Sequence, residues 1–287
     1  MAVTTIRYVV CDVFTDQALA GNQLAVFTNA TGLTGAMMQK LAREMNFSES
    51  VFVLRSEGTG HARLRIFTPT RELKFAGHPV LGAAFVLGQP MQLDEIRLET
   101  GAGVVPVKLE RQGALVVFGW MRQPIPVITP VESPAAIFEA LGVPGSTLPV
   151  EHYDLGPGHV FVALESREAV AAVKPDLAAL ARAIEAGANV FAGEGTSFKT
   201  RLFAPRHGVD EDPATGSAAG PLALHLARHG RIGFGDTITI EQGAEIGRPS
   251  TLYARAHGSR EEPGAPEVGG SAVVVAHGEF RFRVLPA

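Results

Sequence analysis

Arg65-Ile-Phe-Thr-Pro69, followed by Ala76-Gly-His-Pro-Val-Leu-Gly-Ala-Ala-Phe85, returns in the second half of the chain. There it reads Arg201-Leu-Phe-Ala-Pro205, followed by Thr215-Gly-Ser-Ala-Ala-Gly-Pro-Leu-Ala-Leu224. Phe67 to Phe203 is an offset of 136 and Gly77 to Gly216 one of 139. Weaker echoes link Val51-Phe52 to Val190-Phe191 and Val26-Phe27 to Val160-Phe161. Similar segments in the same order at a near-constant offset point to two copies of one domain. Pro79–Leu87 is apolar on nearly all sides, the pattern of a helix buried all round. Each copy is therefore expected to wrap strands around one such helix.

Working outward, short runs rich in Val, Ile and Phe read as strands: Ile6–Val10, Leu24–Phe27, Val51–Leu54, Leu64–Phe67, Ile96–Glu99, Val104–Leu109 and Leu115–Gly119. Met37, Leu41 and Met45 recur every four residues and predict a helix over Gly35–Met45, with Thr34 as N-cap. Gln123-Pro-Ile-Pro-Val-Ile-Thr-Pro130 reads as a linker. On this reading the halves hinge there and close over a bound ligand.

Composition narrows the function. With 25 Lys+Arg against 29 Asp+Glu the net charge is −4, which gives no basic face for nucleic acid. Gly and Pro together are 51 of 287 residues, too few for a low-complexity chain. Cys11 is the single cysteine, so no internal disulfide or Cys-rich zinc site exists, and a reducing cytoplasm is the expected compartment. No run of 18 apolar residues predicts a membrane span.

The candidate chemistry sits where strands lead into the buried helices, at Gly77-His78-Pro79 and Gly216-Ser217-Ala218. Helix N-termini carry unpaired N–H groups and partial positive charge, and two facing one cleft would hold a small carboxylate. Glycine there would let a ligand approach the backbone; the plain alternative is two tight turns. The acid–base candidates are Glu49, His78 and Asp212. Each also has an ordinary role open to it: a solvated turn carboxylate, a core histidine, a turn-forming Asp before Pro. His225 and His229, four apart on a helix, are expected to face solvent rather than hold a metal. No complete dinucleotide or P-loop fingerprint is present.

These residues resemble the phenazine-biosynthesis isomerase (PhzF) family, itself similar in fold to diaminopimelate epimerase. The resemblance rests on Tyr8-Val-Val-Cys-Asp-Val-Phe, Gly21-Asn-Gln-Leu-Ala-Val-Phe, Leu41-Ala-Arg-Glu-Met-Asn-Phe-Ser-Glu49, Phe75-Ala-Gly-His-Pro, Asp212-Pro-Ala-Thr-Gly-Ser and Gln242-Gly-Ala-Glu-Ile-Gly-Arg-Pro-Ser250. It implies an α/β (α+β) chain of two pseudo-symmetric domains, each a curled β-sheet around a central buried helix. Expected boundaries are 1–124, completed by a C-terminal strand at about 272–287, and 125–271. It also implies a homodimer, no metal or cofactor, and a small cyclic amino acid carboxylate as substrate. The phenazine member isomerises trans-2,3-dihydro-3-hydroxyanthranilate. Glu49 would transfer the proton, and Gly77, His78, Asp212, Gly216 and Ser217 would bind substrate. Gln23 departs from the family's usual Pro. An isomerase or epimerase for another small carboxylate, or a non-catalytic carboxylate binder, remains open at this point.

Overall fold

Thr34 Oγ1 accepts from the Met37 N–H at 3.2 Å and Asn46 closes the other end in the left-handed region (φ 53°), so helix α1 spans Gly35–Met45 as its periodicity predicts. The structure is a computed structural model that describes residues 3–283. The first half carries β1 (Val3–Val13), β2 (Asn22–Phe27), α1, β3 (Glu49–Leu54), β4 (Ala62–Phe67), β5 (Glu72–Leu73), α2 (Gly77–Met91), β6 (Glu95–Thr100), β7 (Gly103–Gln112) and β8 (Leu115–Arg122). After it come β9 (Val127–Pro130), α3 (Ala135–Leu141), β10 (Glu151–Asp154), β11 (Gly158–Ala163), α4 (Arg167–Ala172), α5 (Leu177–Ala183), β12 (Gly187–Glu194), β13 (Ser197–Ala204), β14 (Val209–Asp212), α6 (Gly216–Arg228), β15 (Thr237–Gln242), β16 (Ser250–Arg255), β17 (Glu267–Gly270) and β18 (Ala272–Arg283). No helix among the described residues is long and apolar enough to cross a membrane.

The two halves pair their strands in the same order. In the first, β18, β1, β2, β3, β4, β6, β7 and β8 are successive neighbours, with β2–β3 and β4–β6 parallel. In the second, β9, β10, β11, β12, β13, β15, β16 and β17 follow suit, with β11–β12 and β13–β15 parallel. β5 and β14 hang on β4 and β13 as matching short strands. β8 and β17 pair antiparallel and join the halves. The C-terminal strand thus returns to β1, as expected; residues 284–287 lie outside the described residues.

Inside the curls, α2 and α6 share one continuous core. Separate apolar layers cover the outer faces, with α1 on the first half and α3–α5 on the second. The strong echo is structural: Ile66 and Leu202 face the shared core, Phe67 and Phe203 the outer layers. Arg65 lies 5.2 Å over Phe67 and forks onto Glu72; Arg201 lies 4.9 Å over Phe203 and forks onto Glu211. The weak echoes fall on equivalent strands but opposite faces. Val26 and Val51 point to the shared core, whereas Val160 and Val190 point outward. A one-residue slip reverses every side chain of a strand, so those pairs match in composition and not in position.

One expectation fails. Gln123–Pro130 is no free linker: Val127–Pro130 forms β9 and pairs with β10. Gln123 is buried, with its N–H on Pro266 O at 2.9 Å and its Nε2 on Gly216 O at 2.8 Å. The prolines are tolerated because β9 has a ladder on one side only, and an edge strand does not need every N–H.

Candidate active site

The N-termini of α2 and α6 touch. A Cβ on Gly77 would lie 2.4 Å from Gly216 C and Ser217 N, and one on Gly216 3.0 Å from His78 N. Glycine is required here so that two helix backbones can meet, a different reason from the ligand approach read in the sequence.

Around this contact the structure gathers the predicted side chains. Glu49, first residue of β3, lies opposite Leu24 on β2 and brings Oε2 to 3.4 Å from His78 Nδ1. Asp212, last residue of β14, accepts from Asn22 Nδ2 at 2.9 Å and from Thr215 Oγ1 at 2.6 Å. Asn22 Nδ2 also donates to Ala214 O at 2.9 Å, while Gln242 Nε2 holds Asp212 O at 2.8 Å. Ser217 Oγ is 2.9 Å from His159 Nε2. Glu49, His159, Asp212, Thr215 and Ser217 line a small cavity of about 50 Å³ between the halves. His78, Gly77 and Gly216 stand behind that lining: His78 backs Glu49 and does not itself face the cavity, as the resemblance would have it do.

Burial sets the electrostatics. It raises the Glu49 carboxyl well above its ordinary range, and the neighbouring Asp212 charge raises it further. Burial also lifts Asp212 to about 6, against hydrogen bonds from Thr215, Ser48 and Asn22 that favour its ionised form. His78 is pushed down to about 3, chiefly by burial, and is neutral. The site therefore holds a coupled pair of carboxyls and a neutral imidazole. Glu49 Oε2 has no hydrogen-bond partner among the described residues.

Sequence reasoning missed Asn22, His159, Thr215 and Gln242. Asn22 and Gln242 stood inside quoted motifs with no role attached. His159 had no local pattern, since its partner Ser217 is 58 residues away. His225 and His229 need correction as well. His225 is fully buried, and both rings reach Glu151 Oε2, at 3.2 and 3.0 Å. They turn inward because β10 sets Glu151 against the α6 face that carries them. Arg228 Nη1 and the Tyr153 hydroxyl occupy the same oxygen at 2.8 Å each, so a guanidinium already balances the charge a metal ion would need.

The duplicated curl, the touching helix N-termini and a buried carboxyl beside them define a protein of epimerase-like fold with a carboxyl where its halves meet. Cys11 lies buried in β1, its thiol pushed up to about 12, so the site contains no cysteine. The chain belongs to the family described as phenazine biosynthesis-like protein (PhzC-PhzF), which matches residues 11–278. It is 53% identical to the trans-2,3-dihydro-3-hydroxyanthranilate isomerase of Pseudomonas aeruginosa, over 95% of this chain and 98% of that protein. The enzyme of the same name from Pseudomonas fluorescens is 49% identical over the same shares. Among solved structures, the Bacillus anthracis phenazine biosynthesis protein of the PhzF family superposes with TM-score 0.82 at 26% identity, covering 98% of this chain and all of that one. A hydroxyproline epimerase from Agrobacterium vitis shares the fold at TM-score 0.65 and 12% identity, over 96% of this chain and 92% of its own.

Proposed function

We propose that this protein is a cofactor-independent isomerase that converts trans-2,3-dihydro-3-hydroxyanthranilate into an aminoketone by moving one proton. Glu49, ionised, takes the proton from C3; the electron pair moves through the ring diene, and Glu49 returns the proton at C1. The resulting enol tautomerises to the ketone. Atoms balance within one molecule, so the reaction consumes no co-reactant. The substrate carboxylate sits at the helix N-termini begun by Gly77 and Gly216, where backbone N–H groups and the Ser217 hydroxyl stabilise its charge. Asp212 binds the amino and hydroxyl groups, and His78 stays behind Glu49 as a neutral imidazole.

The observation that carries this reading is the raised Glu49 carboxyl on the cavity wall, its Oε2 without a hydrogen-bond partner among the described residues. A base near its working pH transfers protons most effectively. The 53% identity to a protein of that name supports the substrate. We further propose a cytoplasmic homodimer, without nucleic-acid or membrane partners. The test is a spectrophotometric assay with dihydrohydroxyanthranilate, read as absorbance of condensed products. Glu49→Gln is expected to lose at least about a thousandfold in rate while still binding 3-hydroxyanthranilate. Near-normal turnover in that variant would refute the assignment, and no turnover by the unaltered protein would refute the substrate.

A further inference from the structure

The two halves supply the site with matching pairs of side chains. Leu24 lies opposite Glu49 across the parallel β2–β3 ladder; His159 lies opposite Gly187 across the parallel β11–β12 ladder. In each half the polar member of that row reaches the second residue of its own central helix. Glu49 Oε2 stands 3.4 Å from His78 Nδ1, and His159 Nε2 stands 2.9 Å from Ser217 Oγ. His159 is 4% exposed and shares the cavity wall with Glu49, Asp212 and Ser217. Its Nδ1 has no hydrogen-bond partner among the described residues. Gly187 stands beside that atom, and even a Cβ there would make only an ordinary contact with it at 3.4 Å.

We propose that His159 is a positioning residue: it carries its proton on Nε2, donates it to Ser217 Oγ, and so turns the Ser217 hydroxyl hydrogen towards a ligand carboxylate at the start of α6. A neutral imidazole has one N–H to place. Were it on Nδ1, a buried donor would lack an acceptor, and Nε2 would draw in the Ser217 proton. Only lone pairs would then face the anion. With the proton on Nε2 the unpaired atom is a bare acceptor, and the serine is free to donate. The ring stays neutral because burial, helped by the nearby His207 and His152, pushes it down to about 3. The identity of the ligand rests on the isomerase reading above; the tautomer does not.

Two measurements separate these. Long-range 1H–15N spectra of imidazole-labelled protein, assigned with His159→Gln, are expected to show a protonated-type Nε2 and a bare-type Nδ1 near pH 7. A protonated Nδ1, or an imidazolium, overturns the proposal whether or not any substrate turns over. Titration with 3-hydroxyanthranilate then tests the route through Ser217. His159→Phe and Ser217→Ala are each expected to weaken binding about tenfold, and the double variant no more than either alone. His159→Gln, whose amide N–H reaches the place of Nε2, restores affinity to within about threefold. Additive losses mean that His159 does not act through Ser217, and the proposal falls. If His159→Phe does not fold, His159→Asn, too short to reach Ser217, replaces it in the cycle. If the unaltered protein binds no such carboxylate, the substrate reading fails and the spectrum still decides the tautomer.

Discussion

At the scale of single residues, burial sets the pH at which this site works. Glu49 and Asp212 both have their carboxyls raised, and the charge on Asp212 opposes ionisation of Glu49, so Glu49 must lose its proton against both effects before it can act as a base. kcat/KM is therefore expected to fall on the acid side above the ordinary carboxylate range, with Asp212 lifted to about 6 and its charge raising Glu49 further. Asn22→Leu removes a donor to ionised Asp212 and moves that limb to higher pH, costing about five- to tenfold at pH 6. A limb that stays in place would show that Asn22 does not tune the pair. The same burial bears on stability. A carboxyl raised in the folded protein contributes stability below its unfolded value and loses it as pH rises through the folded one. Glu49→Gln should accordingly raise Tm at pH 8 while abolishing turnover. A lower Tm there would mean that ionised Glu49 holds the fold together, contrary to the raised carboxyl found here.

At the scale of elements, two contacts at opposite ends of α6 do different work. At its start, a methyl group on Gly77 would meet backbone atoms of Gly216 and Ser217 at 2.4 Å, with no flexible side chain to give way. Gly77→Ala is expected to cost about 1–3 kcal/mol and to weaken carboxylate binding, because the helix N-termini must separate. Unchanged Tm and affinity would show that the contact gives without cost. At its end, Glu151 takes four donors on one oxygen. Burial opposes ionisation there, but hydrogen bonds from His225, His229, Tyr153 and Arg228 outweigh it and hold the carboxyl below its usual range. A depressed carboxyl contributes stability above its unfolded value, lost as pH falls below about 4.5 towards the folded one. Denaturant melts should show Glu151→Gln less stable by about 2–3 kcal/mol at pH 7, with the difference shrinking at pH 3. A pH-independent difference would mean that the charge on Glu151 is not what matters.

At the scale of the molecule, the cavity between the halves is much smaller than the roughly 300–1,000 Å³ of ordinary ligand pockets. A cyclic carboxylate needs more space than this cavity offers. We propose the halves as units, 1–124 with 272–287 and 125–271, turning about the β8–β17 seam and the Gln123 contacts rather than about a loose linker. A ligand that touches both helix N-termini favours the closed form. Small-angle scattering should give a larger radius of gyration for the free protein, falling on addition of 3-hydroxyanthranilate. Identical scattering with and without saturating ligand would leave a rigid molecule and remove the closure.

By itself the sequence determined the duplication, the two buried helices and α1 with its Thr34 cap, while Glu49 and Asp212 stood as candidates with ordinary roles open and Ser217 entered only through the family resemblance. The first three rest on local properties: apolar periodicity, capping chemistry and a repeated Arg-x-Phe strand are carried by neighbours along the chain. Only the tertiary structure decided which side chains meet. Asn22 reaches Asp212 across 190 positions and Gln242 reaches it across 30. His225 and His229 turn inward because β10, distant in sequence, presents Glu151 to them. Strand faces followed the same rule. Composition placed Val160 and Val190 on the right strands, but the ladder register sent them outward. Whether glycine at 77 serves a ligand or another helix depends on what stands opposite, and no local pattern contains that.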